Sequence, residues 1–203
     1  MTQSRRPKQT LLAFIAACAL ASVSANSIAD AYADYERGVN AAFDGDYATA
    51  FREFSVAADE GLMLAQYNLG ILYFTGRGVE RDPAAAYRWT LAAAEQGHTA
   101  AQFNLASLLS TGDGVTKDTE EGAQWYARAA KAGHPQAALT LAAIYAEGAG
   151  VERDPVLAHA WASYAVLNSA EGAESLRLEI EGELAAGELS AARRLFARWQ
   201  IEN

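Results

Sequence analysis

Cysteine is almost missing from this 203-residue chain: the only one is Cys18, close to the N-terminus. A disulfide framework is therefore excluded, and the fold must stand on packing alone. Proline is scarce too, and three of the four (Pro83, Pro135, Pro155) fall where helices are predicted to begin. Basic residues are in deficit, with 16 Lys and Arg against 25 Asp and Glu and a formal net charge of −9. No basic stripe is present, which argues against nucleic acid and against anionic lipid surfaces as partners. No run alternates apolar and polar residues as a strand would, and no apolar run reaches the length of a membrane span.

The N-terminus differs from the rest. Arg5, Arg6 and Lys8 precede an apolar stretch over Leu11–Ala21, and Val23-Ser24-Ala25 supplies small residues for a signal peptidase. Residues 1–25 are read as a signal peptide, and the paired arginines lack the remainder of a twin-arginine pattern. The chain is expected to be exported, to the periplasm of a Gram-negative cell or to the outside. Ile15-Ala16-Ala17-Cys18 loosely resembles a lipoprotein box, and a lipid anchor on Cys18 is the alternative. The apolar run continues past that cysteine, which favours cleavage after Ala25. Without residues 1–25 the chain keeps 13 basic and all 25 acidic residues.

What the chain has in quantity is alanine, glycine and a period. Gly61, Gly97 and Gly133 are spaced 36 apart, as are Gly76, Gly112 and Gly148, and Gly78, Gly114 and Gly150. Val79, Asp82 and Trp89 recur in the same phase as Val115, Asp118 and Trp125 and as Val151, Asp154 and Trp161. Columns held in phase over three copies define a repeat protein. Within a copy, Ala65, Leu69, Leu72 and Tyr73 give a first helix its apolar stripe, and Gly76 can end it in a left-handed cap. Asp82 is placed as an N-cap with Pro83 behind it, and Glu121 stands three residues after Asp118 as in a capping box. The second helix ends at Gly97. Small residues at Gly70, Ala106 and Ala142 let the two helices approach closely.

One hairpin cannot cover its apolar face, so stacking into a solenoid follows. Residues 26–60 are read as a linker and a shorter, divergent first hairpin: Tyr35, Gly38, Ala42 and Phe43 on one helix, then the turn Asp44-Gly45-Asp46. Residues 61–168 form three 36-residue copies. Residues 169–203 form a cap of two helices parted at Gly187, the last carrying Arg193, Arg194 and Arg198 toward its negative C-terminal dipole.

The string Ala-Gln-Tyr-Asn-Leu-Gly-Ile-Leu-Tyr-Phe-Thr-Gly-Arg-Gly-Val-Glu-Arg-Asp-Pro at Ala65–Pro83 closely resembles the Sel-one-like repeat family, the tetratricopeptide-like class with a longer glycine loop. The resemblance covers about Tyr32 to Leu167 and implies an all-α, right-handed α/α superhelix of stacked hairpins serving as an adaptor. Ala106 and Ala142 depart from the family's glycine, and Leu109 from its tyrosine. The cysteine-stapled branch of the family, linked to β-lactams, does not fit a mature chain lacking cysteine.

No nucleophile elbow, phosphate loop or metalloprotease motif is present, so no catalytic, cofactor or metal site is assigned. His98 and His134 recur one copy apart, at a spacing of roughly 10 Å that does not suit a shared zinc ion. The tryptophan column is assigned to the core. A partner-binding face is expected on the first helix of each copy, off its apolar stripe: Asn68, Ile71 and Thr75, then Asn104, Ser107 and Thr111. The expected function is a scaffold or adaptor that binds a peptide or protein on the concave surface, with an accessory subunit of an envelope enzyme as the alternative.

Overall fold

The computed structural model describes residues 28–202, so the signal segment 1–25 and Cys18 lie outside the described residues. Ten helices and no strand occur among the described residues. They are α1 (28–43), α2 (Tyr47–Asp59), α3 (Met63–Thr75), α4 (Pro83–Glu95), α5 (Thr99–Thr111), α6 (Thr119–Lys131), α7 (Pro135–Glu147), α8 (Pro155–Leu167), α9 (Ala173–Glu183) and α10 (Ala186–Glu202). Consecutive helices pair into the hairpins α1/α2, α3/α4, α5/α6 and α7/α8, and α9 and α10 pack on α8.

The caps explain why the helices fall in register. Asp82, Asp118 and Asp154 accept hydrogen bonds from the Ala85, Glu121 and Leu157 amides at 3.0, 2.9 and 2.8 Å. The Asp118 amide donates to the Leu109 carbonyl at 2.8 Å. The capping box is therefore only half formed, because the amide its glutamate would serve is already taken. Glu121 accepts from the Trp125 indole instead, at 3.3 Å.

Gly78, Gly114 and Gly150 do more than permit a turn. Each has a positive φ, and a Cβ on Gly78 would lie 2.0 Å from the Tyr47 carbonyl oxygen, one on Gly114 2.1 Å from that of Pro83. Each glycine loop therefore rests on the first turn of the second helix of the preceding hairpin. Gln66 and Gln102 add a second inter-hairpin link, donating to the Ala58 and Ala94 carbonyls at 3.2 and 3.3 Å.

Tyr35, Gly38, Ala42 and Phe43 share the one helix α1, with Phe43 exposed at its end and Gly38 against the Phe54 ring. Two expectations near the C-terminal end are corrected. The break in the cap falls at Leu184–Ala185; Gly187 sits in the first turn of α10, where Glu188 caps the Ala185 amide at 2.9 Å. Arg193 is not at a helix end: it is in the middle of α10 and reaches Glu181 of α9 at 2.9 Å.

The buried core has two parts. One joins Ala31, Phe54, Leu69 and neighbours over α1–α3, and the other runs from Ala93 in α4 to Ile180 in α9. The division passes through hairpin α3/α4, where Gly70, Ala85, Ala86 and Thr90 are buried and small, and where half-buried side chains contact both parts: Tyr73 and Trp89 the first, Met63 and Tyr67 the second. Trp125 and Trp161 are buried and Trp89 is half-buried against the first part, so the tryptophan column is core.

Candidate functional site

The same column of the second helix decides how each groove between successive first helices is filled. Phe54 occupies it in α2, Thr90 in α4, Tyr126 in α6 and Ala162 in α8, at 36-residue intervals. Phe54 and Tyr126 are 3% and 5% exposed, the Phe54 ring packed against Tyr35 and Gly38 of α1 and the Tyr126 ring against Phe103 of α5. Tyr126 packs edge-on against Phe103 at 5.3 Å. Burial raises its phenol pKa. At Ala162 the cap packs over the groove through Leu176 and Ile180 and leaves a smaller cleft of about 190 Å³ beside Glu147, Glu179 and Glu183.

Thr90 leaves its groove open. A cleft of about 380 Å³ lies between α3 and α5, with walls of Ile71 and Phe74 on one side and Phe103, Asn104, Ser107 and Leu108 on the other. Gly70 and Thr90 form its floor, and Thr111 and Asp113 its rim. This is the small end of the size range for specific ligand sites, and the lining has the expected mixture of apolar walls and few polar groups. Asp113 accepts from Arg81 at 2.6 Å, and Arg81 also donates to the Phe74 carbonyl at 3.1 Å while lying over the Phe74 ring. The rim is thus held by an ion pair that bridges two copies.

Of the six residues predicted for partner binding, Ile71, Asn104, Ser107 and Thr111 line this cleft. Asn68 does not, and its amide points back to the Tyr35 hydroxyl at 3.5 Å. Thr75 lies exposed beside the cleft with its hydroxyl turned to the Ile71 carbonyl at 2.8 Å. The Asn104 side chain makes no hydrogen bond to another described residue, so its amide group is available to a ligand. Thr90, Phe74 and Asp113 were not legible as site residues. Thr90 carries a signal only when the column is read for what it lacks, an aromatic ring.

His98 and His134 hold the N-cap positions of α5 and α7, and only His98 caps through its side chain. His98 accepts from the Ala101 amide at 3.1 Å and stacks on Tyr67 at 4.2 Å; His134 stacks on Phe103 at 4.3 Å. Burial lowers the pKa of both. His159 is buried in α8 with its Nε2 3.3 Å from Glu181, which also accepts from Arg177 and Arg193 at 2.9 Å each. Those hydrogen bonds and charges, with His159 first, hold the Glu181 carboxyl below the usual range. No group of three or more metal-ligating side chains is gathered among the described residues. None of their helices is long and apolar enough to cross a membrane.

Comparison with known proteins agrees with this geometry. The Sel1 repeat matches three times in succession, over residues 64–98, 99–134 and 135–168. A protective antigen of uropathogenic Escherichia coli with an SLR fold is 36% identical, with a TM-score of 0.66, over 74% of this chain and 32% of its own. A Sel1 repeat protein from Oxalobacter formigenes is 31% identical, with a TM-score of 0.63, over 66% of this chain and 55% of its own. The chain therefore spans about a third and just over half of these two structures. No curated protein matches it.

Proposed function

The chain belongs to the Sel1 repeat family, and from that premise we propose that it is an exported adaptor holding an extended segment of a partner protein in the cleft between α3 and α5. Sel1 repeat proteins mediate protein–protein interaction. The observation that carries the more specific reading is the cleft itself: it is roomier and more apolar than the groove between α7 and the cap, and in the hairpins α1/α2 and α5/α6 the corresponding floor residue is a buried ring. Export rests on the pattern of residues 1–25, a basic start, an apolar core and small residues before Asn26.

The test uses a photo-crosslinking amino acid placed in the full-length chain in living cells, once at Thr111 on the rim of the cleft and once at Arg88 on the exposed side of α4. A discrete adduct is expected from Thr111 and not from Arg88. Adducts from Arg88 alone, or from neither position, would count against a partner in this cleft.

A further inference from the structure

We infer that the cleft between α3 and α5 takes one aromatic side chain, phenol or phenyl, from a basic segment of the partner. The inference rests on the reading of this cleft as the partner site.

The chain itself shows what fits such a groove. Where the floor residue is Phe54 or Tyr126, a ring stands at that position and is almost completely buried. Gly38 lies under the Phe54 ring as Gly70 lies under the Thr90 hydroxyl, at 2.6 and 2.8 Å from where their Cβ atoms would be. The helix spacing is therefore set for the same close approach in both hairpins, and only the ring is absent. An aromatic ring entering from the partner meets Ile71, Phe74 and Phe103 as apolar walls. Aromatic edges and faces packed in this way contribute beyond the area they bury. The Asn104 amide stands beside the entrance for the backbone of the segment that carries the ring.

Charge specifies what flanks the ring. Beyond residue 25 the chain has 25 acidic against 13 basic residues. The next open groove along the same face, between α7 and the cap, is lined by Glu147, Glu179 and Glu183 with a single cation, Arg153, which pairs with Glu183 at 2.5 Å. Glu147 occupies in α7 the column that Thr111 occupies in α5. Glu147 and Glu179 make no ion pair with another described residue, so this end of the surface attracts lysine or arginine.

Two probes test the inference on the mature chain: p-cresol, as a free tyrosine side chain, and a blocked peptide with a central Tyr and a Lys at each end, each Lys set apart from the Tyr by five Ala so that it reaches the groove between α7 and the cap. Amide shifts in a nitrogen–proton NMR spectrum are expected at Gly70, Ile71, Ser107 and Leu108 with both. Thr90→Tyr should supply the ring from within, as Tyr126 does, and weaken both probes at least tenfold. Should that variant not fold, Ile71→Trp closes the cleft from its wall and the same loss is expected. The peptide with Ala in place of Tyr should lose binding, and the one with Glu in place of both Lys should bind more weakly. Undiminished binding to a folded Thr90→Tyr, or shifts scattered away from α3 and α5, would overturn the inference; equal binding of the glutamate peptide would overturn its basic half. A partner still crosslinked to Thr111 in the Thr90→Tyr protein would remove the ring from the inference and leave the adaptor reading standing. Probe binding without any cellular adduct would do the reverse.

Discussion

At the scale of single residues, the glycines separate into two kinds that the sequence presents as one. Gly97 has a φ of +93° and open space around it, so Ala there meets only the left-handed backbone cost, about 1–2 kcal/mol. Gly114 has a φ of +80° and the Pro83 carbonyl oxygen where its Cβ would be, so overpacking adds a further cost of about 1–3 kcal/mol. Urea unfolding should therefore show Gly114→Ala to be clearly the more damaging of the two. Equal losses would mean that the loop does not rest on the preceding hairpin. The period made both positions visible; the close approach was not, since it depends on which backbone lies across the loop. The histidines give a second residue-scale prediction. Burial lowers the folded pKa of His98 and His134, so the folded state binds fewer protons than the unfolded one. Their contribution is complete above the ordinary value of 6.5 and declines as pH falls below it toward the lowered folded values. Melting temperature should drop from pH 7.5 to 5.5. His98→Asn, which keeps a capping acceptor, should flatten that dependence; an unchanged slope would exclude His98 as a source.

At the scale of elements, the helix boundaries within the three copies were legible because their causes are local. Asp-Pro at α4 and α8 and a left-handed glycine after α3, α5 and α7 act over a few residues. The cap was less legible because its break at Leu184–Ala185 carries no punctuating residue and Gly187, which does, falls just inside the helix. What holds the cap is likewise non-local. Glu181 of α9 gathers Arg177 from its own helix, Arg193 from α10 and His159 from α8, and Trp199 of α10 packs on Trp161 with centroids 4.4 Å apart. The Glu181 carboxyl is held below its ordinary value of 4.5, so its contribution is present above that pH and is lost as pH falls through the lowered folded value. Replacing Glu181 with Gln should loosen the cap, since it weakens the hydrogen bonds to its charged partners. Hydrogen exchange should report this as lost protection in α9 and α10 with α5 and α6 unaffected. A uniform loss over the whole chain would show that the cap does not open as its own unit.

At the scale of the whole molecule, the floor of the cleft and the division of the core fall in one hairpin. Thr90 and Gly70, which floor the groove, lie in the hairpin at which the fully buried core divides, and there the two parts meet through half-buried side chains such as Met63, Tyr67 and Trp89. In a solenoid each unit is stabilised mainly by its neighbours, and a weak interface lets the shorter side open first. Amides of α1 and α2 should therefore exchange through a smaller opening free energy than those of α5–α8. A ligand bound between α3 and α5 bears on both sides of the division and is lost when they separate. It should raise protection in α1–α3 as well as at the cleft, by RT ln(1 + [L]/Kd), or about 2.7 kcal/mol at a hundredfold excess over Kd. Thr90→Tyr should produce the same rise with no ligand present, because its ring would span the division from within. Protection that rises only along the cleft walls, with α1 and α2 exchanging as before, would show that the groove and the divided core are independent features of the chain.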